Sequence, residues 1–157
     1  MQVLGPLLGG YLGSRLMKNI REDKGYTYGI YSGLGSMEDA GMFTISAEIG
    51  SEYTEPCRIE IHKEITRLQN DLVPQEELEM VKNFMIGDLL RTVDGPWNLS
   101  EIAIETIQSK QEFSFVNYVF ERLKNIQAEE LRSLAQTHLQ VDSMVEIVVG
   151  PPKSTLS

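Results

Sequence analysis

The sequence predicts an α+β domain in which an antiparallel sheet carries a layer of helices on one face. Three observations predict it: a strand–turn–strand pattern near the N-terminus, a long helical block after it, and a short apolar strand close to the C-terminus. Antiparallel strands beside a block of helices are typical of this class, because each element must bury its apolar face against another layer. The 157 residues suit one domain, predicted over residues 1–150, with a tail over 151–157.

The first predicted element is a helix over about Leu7–Asp23. Apolar residues recur in it at every fourth position: Leu8, Leu12, Leu16 and Ile20. Gly9, Gly10 and Gly13 also lie within it, although each glycine costs a helix about 0.5–1 kcal/mol relative to alanine. We therefore expect another element to pack very closely against this segment. Gly25 is predicted to end the helix as its C′ residue.

Two strands are predicted next. The segment Tyr26–Met37 is rich in aromatic and β-branched residues, and the segment Met42–Ile49 alternates apolar and polar residues. The apolar set of the second strand is Phe43, Ile45, Ala47 and Ile49. Glu38–Gly41 is typical of a turn, so the two strands are predicted to form a β-hairpin.

Helices dominate the remainder of the chain. One apolar stripe predicts the first of them: Ile61, Ile65, Leu68 and Leu72. Pro74 marks the first turn of the next helix, whose inner face is predicted to carry Leu78, Val81, Met85 and Leu89. Asp94–Pro96 interrupts the pattern. Further helices are predicted over about Trp97–Lys110, Phe115–Asn125 and Ala128–Gln140.

The last predicted element is a strand over Ser143–Gly150. Three strands are few for so many helices, so we infer that part of the sheet is missing or is supplied by another chain. An open sheet edge invites pairing with a further strand. We therefore expect either a partner domain or a homo-oligomer.

Composition excludes several classes of protein. A formal net charge of −9 argues against nucleic acid and against anionic membranes as partners. The single cysteine, Cys57, cannot form an internal disulfide or a thiolate zinc site. No apolar run approaches the roughly 20 residues that span a bilayer, and the residues after Met1 do not resemble a signal peptide. We expect a soluble protein, in either the cytoplasm or the periplasm.

The most specific signal lies in the stretch Leu8–Tyr28. It reads Gly-Gly-x-x-x-Ser-Arg-Leu from Gly9 and Ile-Arg-Glu-x-x-Gly-x-x-Tyr from Ile20. These motifs resemble the C-terminal, zinc-free domain of the pitrilysin/insulinase-type metallopeptidases, which include the mitochondrial processing peptidase and bacterial zinc-protease-like proteins. The resemblance covers nearly the whole chain. That domain normally opens with a strand and a helix before the glycine-rich helix, so the resemblance implies an N-terminally incomplete domain.

The resemblance also implies roles for three residues. In this family a zinc-bearing domain carries a His-x-x-Glu-His motif, and the zinc-free domain contributes an arginine and a tyrosine that match Arg21 and Tyr28. A permanently charged guanidinium and a neutral phenol O–H could hold a substrate carbonyl and stabilise an oxyanion. Tyr26, two residues before Tyr28, is predicted to share its strand face and to contact the peptide substrate. Without the resemblance, helix-dipole preference and β-propensity account for the arginine and the tyrosines.

No catalytic metal motif is present in the chain itself. The two histidines, His62 and His138, are far apart, and no His-x-x-Glu-His occurs. The resemblance therefore implies no cofactor in this chain and a zinc ion in the partner domain, so that this chain is inactive alone. The first hypothesis is a domain that supports peptide hydrolysis. The alternative is a structural or assembly subunit without a role in proteolysis.

Overall fold

The computed structural model describes residues 1–37, 40–108 and 114–150. The fold is α+β, as predicted. Its first part consists of α1 (Leu4–Gly9), a π-helix (Met17–Asp23), β1 (Thr27–Ser36) and β2 (Gly41–Ile49). The second part consists of α2 (Thr54–Asn70), α3 (Gln75–Thr92), α4 (Pro96–Gln108), α5 (Ser114–Asn125) and α6 (Ala128–His138).

The single first helix predicted over Leu7–Asp23 is wrong, because the helix is interrupted. Helix α1 starts earlier than predicted, at Leu4, and ends at Gly9, where the Gly10 N–H donates to the Pro6 carbonyl oxygen at 3.1 Å. A turn follows, and helical structure resumes before the π-helix. The reason is the glycine content of the predicted helix, which makes continuous helix costly at this point.

The close approach predicted at the glycines is confirmed, and α1 packs directly on the backbone of β1. A Cβ atom on Gly5 would stand 2.9 Å from the Gly33 Cα, and one on Gly9 would stand 2.9 Å from the Ser32 backbone nitrogen. The Ser32 hydroxyl donates to the Gly5 carbonyl oxygen at 2.8 Å. Only glycine allows the helix and strand to approach so closely.

The predicted hairpin is confirmed. Strands β1 and β2 pair antiparallel from Ser36↔Gly41 to Thr27↔Ile49, with a register shift between Thr27 and Ile30. The Met37 N–H donates to the Ala40 carbonyl oxygen at 2.7 Å. The central turn residues of the prediction, Glu38 and Asp39, lie outside the described residues.

The helical layer follows the prediction closely. Ile65 and Leu68 of α2 and Leu78 and Val81 of α3 are fully buried, and Gly95, with φ of +88°, separates α3 from α4. Leu72 lies beyond the end of α2 and is exposed, so the predicted stripe ends at Leu68. The core is shared by α1, α2, α3, α5, α6, the π-helix and β1. Its largest fully buried side chains include Leu4, Leu8, Leu16, Ile20, Ile30, Leu131 and Leu139.

The strand predicted over Ser143–Gly150 is wrong, because this segment pairs with no strand in the described part of the chain. Its side chains are strongly exposed, with Val145 at 88 %, Ile147 at 83 % and Val149 at 93 %. A strand requires a hydrogen-bonded neighbour, and the described sheet contains β1 and β2 alone. The Arg58 Nε lies 3.9 Å from a Glu146 carboxylate oxygen, which places the segment beside α2. None of the described helices is long and apolar enough to cross a bilayer.

Candidate functional site

Arg21 lies in the last turn of the π-helix. Its side chain is half-buried and forms no ion pair or hydrogen bond with any residue that the structure describes. Its carbonyl oxygen accepts from the Gly25 N–H at 3.2 Å, and the Ile20 carbonyl oxygen accepts from the Tyr26 N–H at 3.0 Å. Gly25, with φ of +65°, then turns the chain into β1, as expected of a C′ glycine. π-Helices are rare and frequently lie at functional sites, so the backbone conformation around Arg21 is itself typical of a functional site.

Tyr28 lies in a β-bulge at the start of β1. Between the pairs Thr27↔Ile49 and Ile30↔Ala47, Tyr28 and Gly29 on β1 oppose Glu48 alone on β2. The extra residue allows Thr27 and Ile30, three apart, both to be buried, although simple alternation would place them on opposite faces. Tyr28 is 97 % exposed as a result. Bulges commonly redirect a side chain in this way next to binding sites.

The Thr27 side chain supports the bulge. Its hydroxyl donates to the Glu48 carbonyl oxygen at 2.6 Å and accepts from the Gly29 N–H at 3.1 Å. These bonds give a side-chain partner to two backbone groups at the register shift. The Thr27 hydroxyl therefore stabilises the bulge that holds the Tyr28 side chain in its exposed position.

The π-helix and β1 pack against each other, so Arg21 and Tyr28 belong to one helix–strand junction. Tyr26 has a different environment. It precedes β1, is half-buried, and stacks on Tyr53 with ring centroids 4.8 Å apart and an interplanar angle of 13°. The expectation that Tyr26 and Tyr28 share a strand face is wrong, because β1 begins at Thr27 and the bulge breaks the alternation.

The residues that the structure describes do not fit a zinc ion. No group of three histidine, cysteine, aspartate or glutamate side chains is placed to bind a metal within the described ranges. His62 lies in α2 and His138 is the last residue of α6. Cys57 is buried in the core, and its burial raises the pKa of the thiol, which disfavours the thiolate that zinc binds.

Two polar contacts that the sequence did not predict join this region to the helical layer. Arg15, ahead of the π-helix, pairs with Glu77 of α3, and Asn19 within the π-helix binds Glu60 and Glu64 of α2. Both contacts span more than 40 residues. The available signal was the spacing of Glu60 and Glu64, which places two carboxylates on one helix face, but nothing local identifies Asn19 as their partner.

Comparisons with known proteins agree on one family. The family described as "Peptidase M16 inactive domain" matches residues 1–85. A Bacillus subtilis (strain 168) protein described as "Uncharacterized zinc protease YmxG" is 37 % identical over 92 residues, which cover 59 % of this chain and 22 % of that protein.

Two solved structures share the fold. The peptidase M16 inactive domain from Pseudomonas fluorescens has a TM-score of 0.78 at 24 % identity, over 90 % of this chain and 34 % of that one. An inactive peptidase domain from Bordetella parapertussis has a TM-score of 0.78 at 16 % identity, over 99 % of this chain and 84 % of that one.

The chain spans 22 % of the Bacillus subtilis protein and about a third of the Pseudomonas fluorescens chain, so it corresponds to one part of a larger protein in each case. The family match extends over more than half of the 157 residues and includes α1, the π-helix, both strands and α2. This chain belongs to the peptidase M16 inactive domain family.

Proposed function

We propose that this chain supports peptide hydrolysis by a zinc-bearing partner domain, to which it contributes Arg21 and Tyr28. The single observation that carries the proposal is that the polar groups of these two side chains are free. Arg21 has no partner among the described residues, and Tyr28 is held almost fully exposed by a bulge on the neighbouring strand. A charged donor and a neutral donor are thus free at one junction.

Free donors at such a junction suit the stabilisation of negative charge. Arg21 carries a permanent positive charge, and the Tyr28 hydroxyl can donate one hydrogen bond. When a peptide carbonyl is attacked, its oxygen becomes negative, and donors that are already oriented stabilise it without reorganisation. The hydrolytic chemistry itself belongs to the partner domain.

Tyr26 is proposed to contact the bound peptide beside these donors. Its ring is fixed against Tyr53, and it remains half-exposed immediately before β1. Two stacked rings form a rigid apolar surface with little conformational entropy to lose, which suits contact with a peptide side chain.

The proposed partner is the zinc-bearing domain, and the unpaired segment Met144–Val149 is proposed as part of the contact. Val145, Ile147 and Val149 are strongly exposed apolar side chains in this segment. The Bordetella parapertussis domain has about a sixth of its length without a counterpart here, although nearly all of this chain matches it. A strand from outside these residues would pair with the segment and bury its apolar side.

The experiment that tests the proposal is reconstitution with the zinc-bearing partner, with cleavage of a fluorogenic peptide library as the measurement. Arg21→Ala and Tyr28→Phe should each lower kcat by about 100-fold, the usual cost of one oxyanion donor. Tyr31→Phe is the matched control, since Tyr31 is an exposed tyrosine of the same strand. Full activity in both site variants would refute the proposal.

The alternative is an assembly subunit that takes no part in proteolysis. The specific observation in its favour is the same exposed segment, Met144–Val149, because strand pairing alone would hold a complex together. This alternative predicts that the complex forms normally and that Arg21→Ala leaves peptide cleavage unchanged.

A further inference from the structure

The π-helix is joined to α2 through one side chain, Asn19. The Asn19 Nδ2 donates to a Glu64 carboxylate oxygen at 2.7 Å and to a Glu60 carboxylate oxygen at 3.2 Å. The Asn19 Oδ1 accepts from the Lys24 ammonium, and that ammonium also lies 3.2 Å from Glu60. Asn19 therefore uses both ends of its amide to connect the π-helix, its C-terminal cap and α2.

The carboxylates that hold Asn19 are themselves fixed. Glu64 is buried, with 5 % of its side chain exposed, and the Arg67 Nη1 lies 2.8 Å from the same oxygen that accepts from Asn19. Glu60 receives the Lys63 ammonium at 2.7 Å on its other oxygen. A buried carboxylate oxygen that accepts from two donors is a rigid acceptor, because its displacement leaves a buried charge without compensation.

This anchor lies on the opposite side of the helix from Arg21. Two residues along a helix correspond to roughly half a turn, so a contact between Asn19 and α2 directs Arg21 away from α2. Met17 and Ile20 are buried in the core and fix a third side of the same helix. The core contacts and the Asn19 contact together fix the orientation of the π-helix about its own axis.

We propose that Asn19 and Glu64 are positioning residues that hold the π-helix in the rotation at which Arg21 reaches the substrate. The inference rests on the proposed role of Arg21. Neither Asn19 nor Glu64 contacts substrate, and both act through the backbone that carries the arginine.

The first test measures amide hydrogen exchange by NMR on this chain alone. Asn19→Ala and Glu64→Met should accelerate exchange of the Tyr26 amide, which closes the π-helix onto Ile20, by about tenfold or more. Glu64→Gln keeps an acceptor oxygen for Asn19 and should remain close to the wild-type rate. Lys124→Met is the control, at an exposed lysine of α5 whose ammonium lies 3.8 Å from Glu121, and it should also leave the rate unchanged. Equal exchange in all four variants would overturn the anchoring role.

The second test is a double-mutant cycle on kcat in the reconstituted enzyme. Asn19→Ala should lower kcat about tenfold in the wild-type chain and have no further effect in the Arg21→Ala chain, because Asn19 acts only through that arginine. An equal loss in both backgrounds would indicate a general structural role and overturn the inference. If Arg21→Ala alone leaves kcat unchanged, the proposed function fails, and the exchange measurement still decides whether Asn19 fixes the π-helix.

Discussion

Arg15 and Glu77, 62 residues apart, form a bidentate ion pair in which the Arg15 Nε and Nη2 lie 2.7 Å and 2.8 Å from the two carboxylate oxygens. Both side chains are largely buried, with 12 % and 18 % exposed. The pair joins the segment ahead of the π-helix to the first turns of α3. It therefore ties the site to the helical layer independently of Asn19.

We predict that Glu77→Gln lowers the free energy of unfolding by about 2–3 kcal/mol, because it leaves a mostly buried guanidinium without its counter-charge. Urea denaturation measures the loss. The control is Asp88→Asn, which removes a pair with Arg91 that is more than half exposed on both sides and should cost less than about 1 kcal/mol. A similar loss of unfolding free energy in both variants would contradict the stabilising role of the buried Arg15–Glu77 pair.

The contact between α1 and β1 predicts opposite effects of the same substitution at two helical glycines. Gly5→Ala should destabilise the chain by about 1–3 kcal/mol, because the new methyl group meets the Gly33 backbone. Gly87→Ala, in α3 with no atom near the added methyl group, should stabilise it by about 0.5–1 kcal/mol. Thermal unfolding of the two variants should shift in opposite directions, and a shift in the same direction would refute the close contact.

Glu60 makes part of the stability dependent on pH. Hydrogen bonding from Lys63, and then from Asn19 and Lys24, lowers the pKa of Glu60 from 4.5 to about 2 despite its partial burial. A carboxyl whose pKa falls on folding stabilises the fold above its unfolded pKa, and that stabilisation disappears as the pH falls from about 4.5 to about 2.

The Glu60→Gln variant should therefore be less stable than wild type at pH 7 and equally stable near pH 2, as urea midpoints at several pH values can establish. Glu121→Gln is the control, since Glu121 is exposed and its cation, the Lys124 ammonium, is 3.8 Å away. For this control the difference from wild type should stay small throughout. A Glu60→Gln deficit that persists at pH 2 would contradict the prediction.

We predict that loss of the Thr27 hydroxyl by the nearly isosteric substitution Thr27→Val lowers the stability of the fold. Thr27→Val removes the bonds to Glu48 and Gly29 in a buried position and should cost about 1–3 kcal/mol, since the bulge amide loses its acceptor. Thr44→Val, at an exposed position of β2, should change stability little. Chemical denaturation of both variants compares them, and equal stability would show that the bulge does not need the hydroxyl.

We predict that a substitution in the exposed segment Met144–Val149, beside α2, weakens association with the zinc-bearing partner. Ile147→Thr should weaken binding to the zinc-bearing partner by about tenfold, because it removes apolar area from the face that a paired strand would cover. Ile107→Thr, at an isoleucine of α4 with comparable exposure of 74 %, is the control. Titration calorimetry gives both affinities, and light scattering of the chain alone detects self-association through the same segment. Equal affinities would locate the contact elsewhere.

Local patterns predicted the hairpin, α2, α3 and the Gly25 cap, because turn chemistry, apolar periodicity and glycine conformation act within a few residues. They failed where distant residues decide. The glycines that predicted close packing against another element also end α1. Apolar periodicity alone could not distinguish close packing from an interruption of the helix. The strand predicted over Ser143–Gly150 has the right composition but no neighbour to pair with. Asn19 is unremarkable in sequence, since its role depends on carboxylates 41 and 45 residues away.

The π-helix and the bulge in β1 have a common consequence for how the chain tolerates changes in length. A π-turn holds one more residue than an α-turn, and a bulge holds one more residue than the strand it opposes. Deleting one residue from either element could restore regular geometry while both of its ends stay in place. The core would survive such a deletion, but Arg21 or Tyr28 would point in a new direction. At these two positions the length of the chain, as much as the identity of the residues, sets where the two donors point.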